Sequence, residues 1–229
     1  KNMNMTGRKR STAIIITITR MRRSTSIITT ITTMTTKMNT SIIVALMLFY
    51  FVITYCSLVV TFNTSYLATD NDMHSSTAGI IISLFFIAIM APGFILGDIV
   101  RLLGNKTNLC SLIVMAAGLG LMSLSKPTET TLCLGAALSG IGYGVMQPLI
   151  YDKAATNAPP HLATLALSIV MAVNYLAILV APFIIDLTGR IFDSESHTLA
   201  FKANAIITLT LAIVTALPYR STRVLGSDD

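Results

Sequence analysis

The stretch of sequence that decides the fold runs from Ala78 to Lys106 and reads AGIIISLFFIAIMAPGFILGDIVRLLGNK. Its first part, residues 78–96, contains no ionisable side chain. At about 1.5 Å per residue, a helix of this length crosses roughly 30 Å of hydrocarbon. Residues 78–96 are therefore predicted to span a membrane.

The remainder of this stretch differs sharply in composition. It carries two glycines and three charged side chains: Gly97, Asp98, Arg101, Gly104 and Lys106. Glycine permits close turns, and charged side chains at the end of a span reach water. A second apolar run begins at Thr107, so residues 97–106 are predicted to form a tight turn that joins two antiparallel helices.

The composition of the whole chain is that of an integral membrane protein. Of its 229 residues, 53% are hydrophobic and 11% are charged, which lies outside the usual range of soluble domains. Cys56, Cys110 and Cys133 lie in apolar segments, without a CxxC pair or a histidine at ligand spacing. We expect no disulfide framework, no metal site and no cofactor.

Six apolar segments follow one another between residues 41 and 218. The predicted spans are approximately 41–62, 78–96, 107–125, 131–151, 161–186 and 200–217. The fold class predicted from this pattern is an all-α, six-helix membrane bundle over 41–218, followed by a cytoplasmic tail at 219–229.

Residues 1–40 form a basic leader rich in Thr and Ile. The leader holds eight of the sixteen Lys and Arg residues and no acidic residue. Two interpretations remain open, an interfacial strip that binds anionic headgroups and a disordered cytoplasmic linker, and we favour the linker. The leader lacks aromatic residues for base stacking, so no nucleic-acid partner is expected.

The distribution of positive charge predicts the orientation. With six spans, thirteen of the sixteen Lys and Arg residues fall on the side of the leader, and Lys126, Arg190 and Lys202 fall on the other. Because cytoplasmic segments are enriched in these residues, both termini are predicted to be cytoplasmic.

Polar side chains inside the spans indicate which helix faces avoid lipid. On the fourth span Tyr143, Gln147 and Tyr151 recur at every fourth residue and therefore share one face. The predicted substrate contacts, taken from three spans, are Tyr50, Thr54, Tyr55, Tyr143, Gln147, Asn174 and Tyr175. Ordinary hydrogen bonding between helices is the alternative role of the tyrosines.

The turn and two of the spans resemble a known family. The major facilitator superfamily carries GxxxDRxGRR in the cytoplasmic turn after its second helix; here Gly97, Gly104 and Lys106 match, while Arg101 stands at the Asp position and Leu102 at the Arg position. The segments GIGYGVMQP (140–148) and APFI (181–184) are similar to helices ten and eleven of bacterial drug and metabolite exporters. The chain thus resembles the C-terminal half of such a transporter.

The resemblance implies a function and a set of partners. It implies a secondary transporter, not an enzyme, in a bacterial inner or plasma membrane, which exports a small amphipathic solute by alternating access against a second six-helix bundle. None of the ten carboxylates lies in the middle of a span, so this chain offers no obvious proton carrier. A truncated or non-transporting membrane protein that docks on a partner bundle is the second hypothesis.

Overall fold

A computed structural model describes residues 40–191 and 198–216 of the chain. Within these ranges the chain folds into six α-helices and no strand. The helices are α1 (Thr40–Asp70), α2 (Ser75–Leu103), α3 (Thr107–Met122), α4 (Glu129–Thr156), α5 (Ala163–Ile191) and α6 (Thr198–Ala216). The prediction of an all-α membrane bundle is confirmed, while the predicted linker at 1–40 and the tail at 219–229 lie almost entirely outside the described residues.

Five helical segments among the described residues are long and apolar enough to cross a membrane. One of them, Ser76–Met122, has 47 residues because the 3₁₀ turn Gly104–Lys106 links α2 directly to α3. A straight helix of that length would measure about 70 Å, roughly twice the thickness of the hydrocarbon core.

The contacts of α4 show that this long segment folds back on itself. A Cβ atom added at Gly140 would meet the Phe85 carbonyl oxygen of α2 at 2.6 Å, and one added at Gly142 would meet the Ser111 carbonyl oxygen of α3 at 2.6 Å. Two residues of α4 that are close together along the helix therefore contact α2 and α3, so α2 and α3 lie side by side at this level of the bundle. The segment is a hairpin of two antiparallel helices, which gives six spans.

The reversal takes place at Gly104. Its φ of 50° lies in the left-handed region, which favours glycine, and its N–H donates to the Val100 carbonyl oxygen to close the end of α2. The helix thus continues to Leu103, beyond the predicted end of the span at residue 96, and the turn is limited to Gly104–Lys106. Similarly, α1 continues to Asp70, which shortens the connection to α2 to residues 71–74.

Helix α4 occupies the centre of the packing. It makes extensive contacts with α2 and α3, while α1 packs mainly on α5 and α3 packs on α6. Thr128 caps the start of α4, because its hydroxyl accepts a hydrogen bond from the Thr131 N–H at 3.2 Å, and an acidic residue, Glu129, stands in the first turn of the helix. This arrangement places the polar face of α4 beside α1 and α5.

Candidate functional site

Six uncharged polar side chains from three helices meet inside the bundle. We call them the polar cluster: Tyr50 and Thr54 of α1, Tyr143, Gln147 and Tyr151 of α4, and Asn174 of α5. Five of the seven predicted substrate contacts belong to this group. The sixth member is Tyr151, which was predicted to share one face of the fourth span with Tyr143 and Gln147 but was not a predicted substrate contact.

Asn174 is the residue that joins the three helices. Its Oδ1 atom accepts a hydrogen bond from Thr54 Oγ1 at 2.9 Å and one from the Tyr143 hydroxyl at 3.3 Å, and these two hydroxyls lie 3.1 Å apart. Thr54, Tyr143 and Asn174 are 1%, 7% and 8% exposed. One amide oxygen therefore satisfies donors from α1 and α4 in the interior of the bundle.

Tyr151 forms the second part of the cluster. Its hydroxyl lies 2.8 Å from the Tyr50 hydroxyl, and the two rings meet edge to face with their centroids 5.5 Å apart. Gln147 Nε2 donates to the Tyr151 hydroxyl at 3.3 Å. Because the Tyr50 hydroxyl also faces Tyr143, the two parts form one continuous chain of polar groups.

Helix geometry explains why these side chains meet. Tyr143, Gln147 and Tyr151 are spaced four residues apart on α4, and Tyr50 and Thr54 are spaced four apart on α1, so each set follows one face of its helix. The other faces of α4 carry glycines that contact α2 and α3. Helix α4 thus presents polar side chains to α1 and α5 and glycines to α2 and α3.

The structure does not bring Tyr55 or Tyr175 into the cluster. Tyr55 follows Thr54 directly, so its side chain leaves α1 about 100° away, and its hydroxyl faces Thr188 of α5 and Asn204 of α6. Tyr175 follows Asn174 in the same way and is 64% exposed. Both stay predicted contacts, but neither shares the hydrogen bonds that connect the other five.

The residues of the predicted turn are spread over a helix end and a short 3₁₀ turn. Gly97, Asp98 and Arg101 lie in the last turns of α2, where Asp98 and Arg101 are exposed. Gly104 and Lys106 form the reversal itself. Arg101 stands in the last turn of α2, where a positive charge interacts favourably with the helix dipole.

Asn204 is a buried polar residue that was absent from the predicted contacts. It is 1% exposed, its Nδ2 atom donates to the Ala200 carbonyl oxygen at 2.8 Å, and its Oδ1 atom is buried without a partner among the described residues. The signal that could have found it is the one that identified Asn174, a lone amide in an apolar span.

The chemistry of the cluster is that of hydrogen bonding without charge. Hydroxyl and amide groups supply all of its polar atoms, and the described residues contain no group of three or more His, Cys, Asp or Glu side chains placed to hold a metal ion. Such a cluster is able to bind a polar molecule by exchanging hydrogen bonds with it. It contains no nucleophile paired with a base.

Comparison with known proteins identifies one family. The family model described as Major Facilitator Superfamily matches residues 15–226, which is most of the chain. No curated protein and no solved structure gives a significant match.

Proposed function

Because this chain belongs to the major facilitator superfamily, a family of membrane transporters, we propose that it is the C-terminal half of a secondary transporter that exports a small amphipathic solute. In alternating access, two bundles move against each other around a site near the membrane midplane. The polar cluster is the part of that site which this bundle supplies.

The position of the Asn174 hydrogen bonds carries the proposal. Thr54, Tyr143 and Asn174 lie near the middle of helices of 31, 28 and 29 residues. An amide at this depth in a span is costly unless it has partners, and such residues commonly mark substrate pathways. A polar site at the middle of three spans is what a transport site near the midplane requires.

The exposed faces of α2 and α5 support a second bundle as the partner. Of the apolar stretch of α5, 22% is buried, and of that of α6, 28%, against 56% in α1 and in α4. Large apolar side chains follow one face of each helix: Ile80, Ile87, Met90 and Phe94 on α2, and Leu165, Ile169, Leu176, Leu179, Phe183 and Leu187 on α5. We propose that the second bundle packs on these two faces and closes the site.

The proposed orientation keeps both termini in the cytoplasm. Among the described residues, Arg101, Lys106 and Lys153 lie at the same end of the bundle as the start of α1, and Lys126, Arg190 and Lys202 lie at the other. Each end of the bundle thus carries three of these six basic residues. The orientation is therefore decided by the eight basic residues of the leader and by Arg220 and Arg223 in the tail.

Transport by variants of the cluster tests the proposal. The wild type is co-expressed with a six-span N-terminal bundle, and a compound that the pair exports is first found by its accumulation in inside-out vesicles, using a panel of amphipathic molecules. Asn174→Leu and Gln147→Leu should then reduce its accumulation to background while insertion is retained. The control is Thr210→Val, because the exposed Thr210 hydroxyl of α6 bonds only the Ile206 carbonyl oxygen in its own helix, at 2.8 Å. Unchanged kinetics in both cluster variants would reject their role.

The burial of the cluster favours one alternative function. Tyr50 and Thr54 are 0% and 1% exposed, so their hydrogen bonds also fit a purely structural role in a non-transporting membrane protein that docks on a partner. Co-expression with a six-span N-terminal bundle separates the two functions. Restored flux favours transport; a stable complex with no flux in either vesicle orientation favours docking.

A further inference from the structure

The polar cluster also indicates what kind of chemical group it receives. Building on the proposed function, we infer that the part of the ligand in contact with the polar cluster is uncharged, presents hydrogen-bond acceptor oxygens and carries an aromatic or apolar ring beside them. The argument rests on the charges, the free donors and the rings at the site.

Charge is absent from the surroundings of the cluster. The parts of α1, α4 and α5 that carry the cluster, residues 41–69, 130–151 and 163–185, contain no Asp, Glu, Lys or Arg. Asp152 is the nearest acidic residue along the chain, but it follows Tyr151 directly, leaves α4 about 100° away and is exposed. An ionic group placed against the cluster would lose its hydration without gaining a counter-ion from this bundle, at a cost of several kcal/mol.

The hydrogen bonds within the cluster leave donors available. Asn174 Oδ1 already accepts two hydrogen bonds. Asn174 Nδ2 donates none to the described residues, and it is not one of the fully buried side-chain atoms that lack a partner. The amide nitrogen therefore keeps a small exposed surface, although Asn174 as a whole is 8% exposed. Gln147 Nε2 gives one of its two hydrogens to Tyr151, and Gln147 itself is half-buried. The amides thus offer N–H groups that suit a carbonyl, ether or hydroxyl oxygen.

Two aromatic rings stand next to these donors. Tyr50 and Tyr151 meet at an interplanar angle of 90°, and Tyr151 is half-buried, so its ring is partly open. Aromatic rings pack well on other rings in edge-to-face or offset geometry. A ligand with an acceptor oxygen beside a ring would use both features of the cluster together.

Binding of three related fluorophores tests the inference. Dansylamide is uncharged, dansylglycine is an anion and dansylcadaverine is a cation, while all three share the same ring and sulfonamide oxygens. Each is titrated against the purified protein in lipid nanodiscs, with empty nanodiscs correcting for partition into lipid. We expect dansylamide to bind at least tenfold more tightly than either charged probe. Asn174→Leu and Gln147→Leu should weaken its binding about tenfold.

Two further variants sharpen the test. Asn174→Asp keeps the shape of the side chain and adds a carboxylate, so it should reverse the preference, weakening dansylamide and strengthening dansylcadaverine. Thr210→Val is the control, since it removes an exposed hydroxyl from α6 outside the cluster and should leave the binding of all three probes unchanged.

The outcomes are distinct. The inference is overturned if a charged probe binds the wild type as tightly as dansylamide, if dansylamide does not bind at millimolar concentration, or if its binding is indifferent to Asn174 and Gln147. Transport can fail separately: Asn174-dependent binding of dansylamide without flux would reject the proposed function and leave the uncharged site in place. Conversely, Asn174-dependent export of charged compounds would keep the function and reject the inference.

Discussion

Gly144 of α4 lies directly against the backbone carbonyl group of Ile89 in α2. A Cβ atom at Gly144 would overlap the Ile89 carbonyl oxygen and would also lie 2.9 Å from its carbonyl carbon, so the approach of the two helices requires a residue without a side chain. Small residues allow this close packing between membrane helices. The contact fixes the distance between α2 and the face of α4 that carries its glycines.

We therefore expect Gly144→Ala to destabilise the protein. The opposing atoms belong to backbone and have little freedom to move, so overpacking should cost about 1–3 kcal/mol. The fraction of protein that remains soluble in detergent after heating measures the effect. Gly79→Ala is the control, because nothing lies within 4 Å of the added atom, and it should leave the heating curve unchanged. Equal behaviour of the two variants would contradict the close contact.

The bond between the Tyr50 and Tyr151 hydroxyls should be visible as energetic coupling. Tyr50→Phe and Tyr151→Phe each remove one partner of the 2.8 Å hydrogen bond that joins α1 to α4. Hydrogen bonds between membrane helices contribute about 0.6 kcal/mol on average. The double variant should therefore lose less stability than the sum of the two single variants, by about that amount, in a double-mutant cycle of unfolding free energies. Strict additivity would show that the two hydroxyls do not interact.

Asn174 and Asn204, two of the three buried asparagines among the described residues, should respond differently to the same substitution. Asn204 Oδ1 is buried without a partner, and such an atom costs roughly 1–3 kcal/mol. Asn204→Leu should leave the unfolding temperature unchanged or raise it. Asn174→Leu should lower that temperature, because it leaves the Thr54 and Tyr143 hydroxyls without their shared acceptor. A marked loss of stability in Asn204→Leu would show that a group such as a buried water satisfies this oxygen.

The hairpin of α2 and α3 makes a prediction about sidedness. Asp70 ends α1, while Lys106 follows the far end of α2, which has 29 residues and measures about 43 Å. In a background without native cysteines, Asp70→Cys should react with a membrane-impermeant maleimide added to intact cells. Lys106→Cys should react with it only after the cells are permeabilised. Labelling of both positions from the same side would exclude the six-span arrangement.

The local features of the fold and site could be predicted from the sequence. Apolar runs identify spans because a helix buried in lipid must be apolar over its whole length. The shared face of Tyr143, Gln147 and Tyr151 follows from a spacing of four residues, which depends on helix geometry alone. The central amide, Asn174, was identifiable because an amide in an apolar span needs a partner.

The direction of adjacent side chains could not be predicted in the same way. Thr54 and Tyr55 are both polar and both central, yet they point about 100° apart, and only the packing of α1 against α5 and α6 decides which one faces the cluster. The pair Asn174 and Tyr175 posed the same problem. Periodicity gives the faces of one helix but not the neighbour that each face meets.

The end of α2 was predicted too early for a related reason. Gly97 and Asp98 suggested a turn, but residues 99–103 continue the helix, and the left-handed conformation of Gly104 is what stops it. Neither a glycine nor an exposed charge by itself ends a helix when the next residues, IVRLL at 99–103, include no Gly or Pro. The positive φ belongs to the second glycine of the motif and not to the first.

The unequal lengths of α2 and α3 connect the protein to the thickness of its bilayer. Helix α3 has 16 residues and rises about 24 Å, while its hairpin partner rises about 43 Å. A typical hydrocarbon core of about 30 Å is thicker than the rise of α3, whereas the apolar residues 78–96 of α2 match it and the charged end of α2, with Asp98 and Arg101, extends into water. We therefore expect the bilayer to become locally thinner beside α3, so the stability of the protein in lipid should depend on acyl-chain length.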